Sequence, residues 1–375
     1  MSDKLLGVLF MIKNEENSIK KSIESVSKYI KNIIVFDTGS TDNTINIIKS
    51  LCKDKDLILH LKEGKFISFP ESRNEAIEFA EKISVKFLLL MDAGDEFRCD
   101  KNKKSLLYII EKIPKNINFG IVKQIWLERS NQTSEHNDIR FIRNKSNCRY
   151  DLSYPVHEKF LNVNNNLNLS NLFNLYQDRV KHGGSSISRY DSDIEKLLTA
   201  KISKRNYYFL AQSYMCKQDF ENGFKYNLLS YETNDDTSSN IDEKFTLVRI
   251  GFCAMMCKKS VDIIYKYLEM AISSPNPPID AFVYMFKTSI DNTCFERAVP
   301  YIKRAFYLEK PNELESTLVN HEFYDYSRWN LISIICLFLK NKLPELLDIG
   351  KNACTKAVNA RNNPIDLHNM KLYMS

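Results

Sequence analysis

The chain has 375 residues, 53 of them basic and 47 acidic, for a formal charge of +6, and 43% of it is hydrophobic. That length accommodates two domains with separate cores, and the composition is ordinary for a soluble globular protein. No dense Lys/Arg block is present, which argues against nucleic acid as a partner. The longest late apolar run, residues 331–339, is far shorter than the roughly 18 residues of a bilayer span, so no transmembrane anchor is expected.

In chain order, the first apolar run covers residues 5–12 and leads into Lys13-Asn14-Glu15-Glu16. With one preceding lysine and no small-residue cleavage site, it reads as a strand and not as a signal peptide. Residues 17–30 put Ile19, Ile23, Val26 and Ile30 on one helical face. A second strand at 33–36 ends in Asp37-Thr38-Gly39-Ser40-Thr41-Asp42, after which Asp42-Asn43-Thr44 can cap a helix carrying Ile45, Ile48 and Leu51. A short strand at 57–59 and a helix at 71–83 follow, the latter holding Arg73-Asn74 and Ala76, Ile77 and Ala80 at core spacing. The strand at 85–91 delivers Asp92-Ala93-Gly94-Asp95-Glu96.

Short apolar runs bounded by polar residues fit buried strands of a parallel sheet, and alternation with helices predicts right-handed crossovers. Ligands of open α/β sheets bind beyond the carboxyl ends of the strands. Acidic and amide groups gathered at those ends suit a nucleoside diphosphate and its metal. Between about 115 and 185 the pattern changes to strands at 119–126 and 139–143, with a hairpin or loop at 162–174.

From about 195 onward nearly everything reads as helices of similar length with short links, around 243–258, 260–273, 277–290, 295–308, 325–340 and 343–358. Tyr207, Leu210-Ala211 and Tyr214, followed by Asp219-Phe220 and Gly223, resemble a tetratricopeptide-type helical hairpin, with small residues at the closest helix crossing. A plain helical bundle is the competing reading. The nine cysteines contain no CxxC pair and read as reduced thiols of a cytosolic-type compartment. Cys253 and Cys257, one turn apart beside Met255 and Met256, read as helix packing. His60, His136, His321 and His368 have no motif around them and read as incidental.

Four signals in order, Ile12-Lys13-Asn14-Glu15-Glu16, Asp37 to Asp42, Ser72-Arg73-Asn74 and Met91 to Glu96, resemble family 2 glycosyltransferases with a GT-A fold. One branch of that family joins the catalytic domain to a tetratricopeptide-like tail. The resemblance implies an α/β GT-A nucleotide-sugar-binding domain at 1–195, with a mostly parallel sheet and flanking helices, and an all-α helical-repeat-like domain at 196–375. It implies a soluble, cytoplasmic enzyme that moves a sugar from a UDP-sugar, UDP-glucose or UDP-N-acetylglucosamine by preference, to an acceptor hydroxyl with inversion.

By the same resemblance Asp37 accepts from the uracil N–H, backbone from Met11 to Lys13 lines the base, and Glu15 or Glu16 lies near the ribose. The turn-capping role of an Asx residue is the bland alternative for Asp37. Arg73 faces the diphosphate, the alternative being an ion pair with Glu71 or Glu75. The family's Asp-x-Asp metal motif departs here to Asp92-Ala93-Gly94-Asp95, and Gly94 could turn the backbone so that Asp95 replaces the missing ligand. Asp92, Asp95 and His182 are thus the expected ligands of Mn²⁺ or Mg²⁺, with Ala93 beside them at the nucleotide sugar.

Arg140-Phe141-Ile142-Arg143-Asn144, Tyr154-Pro155-Val156-His157-Glu158 and Lys181-His182-Gly183-Gly184 resemble later signals of the branch. Glu158 is the expected general base and His157 a donor or acceptor contact, while a purely structural reading pairs Glu158 with His157 or Arg140. The acceptor, whether glycan, lipid-linked or protein, is not specified by these residues. The helical domain is expected to offer a surface for a homodimer or a protein partner. The rival from another class is an inactive GT-A platform whose helical tail does the binding, a reading suggested by Gly94.

Overall fold

The computed structural model describes residues 4–127, 133–179, 187–234, 242–311 and 320–374. The chain forms two compact units, Met1–Arg189 and Tyr190–Ser375.

The first unit opens with β1 (Leu6–Ile12), α1 (Ile19–Ser27), β2 (Asn32–Asp37), α2 (Thr44–Asp54), β3 (Ile58–Glu63), α3 (Phe69–Ala80) and β4 (Phe87–Met91). It continues with β5 (Asp95–Arg98), α4 (Lys103–Glu111), β6 (Phe119–Leu127), β7 (Thr133–Arg143), β8 (Asn166–Asn168) and β9 (Asn174–Asp178). The strand order is β3-β2-β1-β4-β7-β6-β9-β5, with β8 also on β6. β3, β2, β1 and β4 run parallel, β7 is antiparallel to both β4 and β6, and β8 and β9 lie parallel to β6.

β1, β2 and β4 are buried almost throughout because both of their faces are covered, whereas the edge strand β3 carries His60, Lys62 and Glu63 and is partly exposed. Ile19, Ile23 and Val26 of α1 and Ile48 and Leu51 of α2 bury one face with Val8, Phe10, Ile33 and Val35. Ala76, Ile77 and Ala80 of α3 bury the other with Leu9, Ile34, Leu88 and Leu90. α3 starts two residues earlier than its core spacing predicts, because Ser68 caps it by accepting from Glu71 N at 3.3 Å while donating to Glu71 Oε2 at 2.7 Å.

Several elements differ from the sequence reading: α4 was not read, and β7 begins at Thr133, six residues before the strand read at 139–143. Of the hairpin-or-loop reading of residues 162–174 the loop alternative holds for most of the stretch, since β8 and β9 each pair with β6 and not with one another. Asp95 is the first residue of a strand, β5, held antiparallel to β9. The polar Asp-Ala-Gly-Asp-Glu run conceals that strand, and only its pairing partner some 80 residues away defines it.

The helices are α5 (Ile187–Thr199), α6 (Lys204–Cys216), α7 (Phe220–Glu232), α8 (Glu243–Met256), α9 (Val261–Ser273) and α10 (Ile279–Asp291). They continue with α11 (Val299–Tyr307), α12 (Arg328–Leu339), α13 (Leu347–Ala360) and α14 (Pro364–Met374). Consecutive helices pack pairwise, α6 on α7, α8 on α9 and α12 on α13. Gly223 sits at a close crossing, where an added Cβ would lie 2.9 Å from Met215 Cγ and 3.2 Å from Cys253 Sγ. Cys253 is fully buried there, and burial pushes its thiol up to about 12, as befits a packing residue. None of the nine cysteines is paired. Among the described residues no helix is long and apolar enough to cross a membrane.

Candidate active site

Two loops at the carboxyl ends of β1 and β2 are stitched together. Asn14, in the left-handed region at φ 55°, donates its N–H to Ser40 Oγ at 2.9 Å and accepts from Thr41 N at 2.8 Å. Glu15 N donates to Thr44 Oγ1 at 2.7 Å, and Glu16 Oε2 accepts from Asn43 N at 3.0 Å. Met11 is partly buried at the end of β1, and Lys13 is exposed just beyond it. The Glu15 carboxylate accepts from the Ser18 hydroxyl, and its pKa is raised chiefly by burial, with the Asp92 and Asp42 charges adding to the effect.

Asp37 is buried and accepts from Ser40 Oγ at 2.6 Å and from Ser40 N at 3.1 and 3.2 Å. It caps the Asp-Thr-Gly-Ser turn, in which Gly39 takes φ 105°. Its remaining lone pairs are what a base N–H could meet.

The densest charge lies at the end of β4. Antiparallel pairing of Leu89 with Phe141 places Arg140 of β7 beside the strand end that carries Asp92. Arg140 Nη1 donates to Asp92 Oδ2 at 2.9 Å, and Arg73 Nη2 of α3 donates to Asp92 Oδ1 at 3.1 Å. The Asp92 side chain is 36% exposed. Burial alone would raise its pKa, but the two guanidinium groups outweigh that and hold the carboxyl well below the usual range.

Gly94, at φ 98°, turns the chain and donates its N–H to Ser22 Oγ of α1 at 2.9 Å, with Ala93 partly buried beside it. Asp95 is 1% exposed and accepts from Asp92 N at 2.9 Å. Burial, then the Asp92 charge, push its pKa up to about 7.

Glu158 reaches the same cluster from a distant loop. Asn74, next to Arg73, accepts from Tyr150 N at 2.7 Å and donates to Tyr150 O at 3.0 Å. Tyr150 bridges and stacks on Phe160, their ring centroids 3.9 Å apart, which closes the loop carrying His157 and Glu158. His157 takes φ 54° immediately before the glutamate. Glu158 Oε1 then lies 3.5 Å from Arg73 Nε. Arg73 thus bridges Asp92 and Glu158 and does not pair with Glu71, which is engaged by Ser68. Glu158 pairs with Arg73 and not with Arg140. His182 lies outside the described residues.

Gln124 and His136 join the site although the sequence reading gave them no role in it, and Arg140, read as part of a later motif and as an alternative partner of Glu158, contacts Asp92 instead. Gln124 Oε1 accepts from Arg140 Nη2 at 3.2 Å and lies 2.9 Å from His136 Nε2, while Asp138 Oδ2 accepts from Arg140 Nε at 3.1 Å. His136, half-buried against Trp126, has its pKa lowered to about 4 by desolvation, so it is a neutral partner here and not an incidental histidine. The available signal was the two-residue spacing of His136, Asp138 and Arg140, which puts all three on one face of a strand.

Among the described residues no three His, Cys, Asp or Glu side chains gather as a metal site. Mg²⁺-type cations are nevertheless held by one or two carboxylates together with substrate phosphates and water. Asp92 fits that pattern, because it is a hard, ionised and partly exposed carboxylate whose oxygens each retain a lone pair beyond the guanidinium they accept from. Asp95 stands directly behind it.

Comparison with known proteins agrees with this outline. Residues 8–162 match the profile of glycosyl transferase family 2. The SPbeta prophage-derived glycosyltransferase SunS of Bacillus subtilis (strain 168) is 27% identical over 174 residues, 46% of this chain and 38% of SunS. The glycosyltransferase SunS of Bacillus phage SPbeta gives the same figures. The match therefore spans well under half the length of these relatives. Among solved structures, S. aureus TarS 1–349 in complex with UDP is 13% identical, with a TM-score of 0.36, over 82% of this chain and 94% of that one. A likeness at that level carries no argument about the site. The order of the four motifs, the strand order and the profile match agree: residues 8–162 are a glycosyl transferase family 2 domain.

Proposed function

We propose that the protein transfers a sugar from a UDP-sugar to an acceptor hydroxyl with inversion at the anomeric carbon. The observation that carries this reading is the convergence of Arg73, Asp92 and Glu158 within 3.5 Å contacts at the carboxyl end of β4, supplied by three separated segments of a family 2 domain. Asp37 accepts from the uracil N–H, backbone from Met11 to Lys13 lines the base, and Glu15 and Glu16 border the ribose. Arg73 offers its fork to the diphosphate, where a guanidinium matches phosphate oxygens in geometry and charge.

Glu158 takes the proton of the acceptor hydroxyl as that oxygen attacks the anomeric carbon and the bond to the nucleoside diphosphate breaks. Arg73, 3.5 Å from Glu158 Oε1, holds that carboxylate beside the donor site. Asp92, with Asp95 behind it and His182 as a third candidate, would hold Mn²⁺ or Mg²⁺, which when bound offsets charge on the departing diphosphate. His157 lies beside Glu158, where it can contact the acceptor or a phosphate.

UDP-glucose and UDP-N-acetylglucosamine are the donors to test first. The acceptor is a glycan, a lipid-linked molecule or a protein, and the helical unit is proposed to take a protein partner or a second copy. Incubating the full chain with a panel of UDP-sugars and Mn²⁺ tests the reading. Release of UDP from one donor, lost in Asp92→Ala, supports it. No release from any donor together with no UDP binding defeats it and leaves the inactive-platform reading, which Gly94 in place of a second carboxylate favours.

A further inference from the structure

Arg140 is as close to Asp92 as Arg73 is, yet its other contacts differ in kind. Arg73 continues to Glu158, whereas Arg140 is fixed from behind by Asp138 and Gln124, and through Gln124 by His136. Its side chain is only 12% exposed, and Gln124 is 2% exposed. The guanidinium is therefore a rigid positive charge with one nitrogen aimed at Asp92. A divalent cation approaching this carboxylate meets two fixed guanidinium groups, and like charges a few ångströms apart in a half-buried site repel strongly. A diphosphate removes that obstacle, since its oxygens give the same guanidinium groups new acceptors and give the cation further ligands.

We propose that Arg140 is a positioning residue that competes with the divalent cation for Asp92, so that cation and nucleoside diphosphate bind cooperatively and the cation binds poorly alone. This rests on the donor-site reading above. Arg140 acts through Asp92: it keeps the carboxylate in place without a cation and yields it when a diphosphate arrives. The coupling is reciprocal, because whatever factor UDP adds to cation affinity the cation must add to UDP affinity.

The test is a linkage measurement on the full chain. Mn²⁺ is titrated by electron paramagnetic resonance with and without saturating UDP, and UDP by calorimetry with and without Mn²⁺, for wild type, Arg140→Met and Arg140→Lys. The wild type should show coupling of roughly 5- to 150-fold. Arg140→Met should bind Mn²⁺ alone more tightly than wild type, with coupling reduced toward one, and Arg140→Lys should retain most of the coupling. A residue that merely supports the fold would weaken both ligands together. If Arg140→Met lacks a cooperative melt, Arg140→Gln takes its place.

Unchanged or weaker Mn²⁺ affinity in Arg140→Met, with wild-type UDP binding intact, overturns this inference alone. A wild type that binds no UDP overturns the donor reading as well.

Discussion

Glu158 and Arg73 make the sharpest claims at the scale of single residues. Glu158→Gln keeps size and polarity but cannot take a proton, so kcat should fall by roughly 10²–10⁴-fold while UDP affinity stays within a few-fold. Steady-state kinetics beside UDP calorimetry separate the two, and a large loss of UDP affinity would make Glu158 a donor-site scaffold instead. Arg73→Lys keeps the charge and loses the fork that spans Asp92 and Glu158. It should weaken UDP binding and slow turnover, and an unaltered Arg73→Lys enzyme would contradict the diphosphate role. These residues were legible because each lies in a short motif in family order. Arg140 was visible in such a motif as well, but its contact with Asp92 joins positions 48 apart through an antiparallel pairing that local pattern does not encode.

Among the elements, the turn between β4 and β5 and the loop tied to α3 bring the site together. Gly94 at φ 98° is in a region that L side chains avoid, so Gly94→Ala should cost about 1–3 kcal/mol in denaturant unfolding and disturb Asp92. An unchanged midpoint and unchanged UDP affinity would show that the turn tolerates a side chain. Asn74→Ala removes both hydrogen bonds to Tyr150, leaving two backbone groups to find other partners. Turnover should drop with little change in UDP affinity, because it is the Glu158 loop that is released. Helices α1, α2 and α3 and the parallel strands of the first unit were readable from apolar spacing, since burial on one or both faces leaves a direct mark on sequence, whereas α4 was not read. β5, β8 and β9 were not, because they are short and polar and are defined by partners far along the chain.

Over the whole molecule, each unit has its own apolar core, one around the sheet and one among the helices. The compact units divide after Arg189, where the chain passes from the sheet and its helices to helices alone. In the helical unit, burial pushes the Asp280 carboxyl up to about 6, with a hydrogen bond to Asn320 acting against the shift. Because this pKa is raised, the folded state keeps its proton between about pH 4 and pH 6 while the unfolded chain has lost it, so stability falls as pH rises through that window. Asp280→Asn should lack that slope and be relatively more stable above pH 6, by roughly 1–3 kcal/mol compared with pH 4. Parallel denaturation curves for the two proteins across that range would contradict the assignment.

The central claim is that a nucleoside diphosphate sits between Arg73, Arg140 and Asp92 at the end of β4. A crystal structure of the full chain with UDP and Mn²⁺ tests it most directly. The account predicts the uracil against Asp37, the phosphates within hydrogen-bond reach of Arg73, and the metal on Asp92. UDP bound elsewhere, or phosphates out of reach of both arginines, would contradict it.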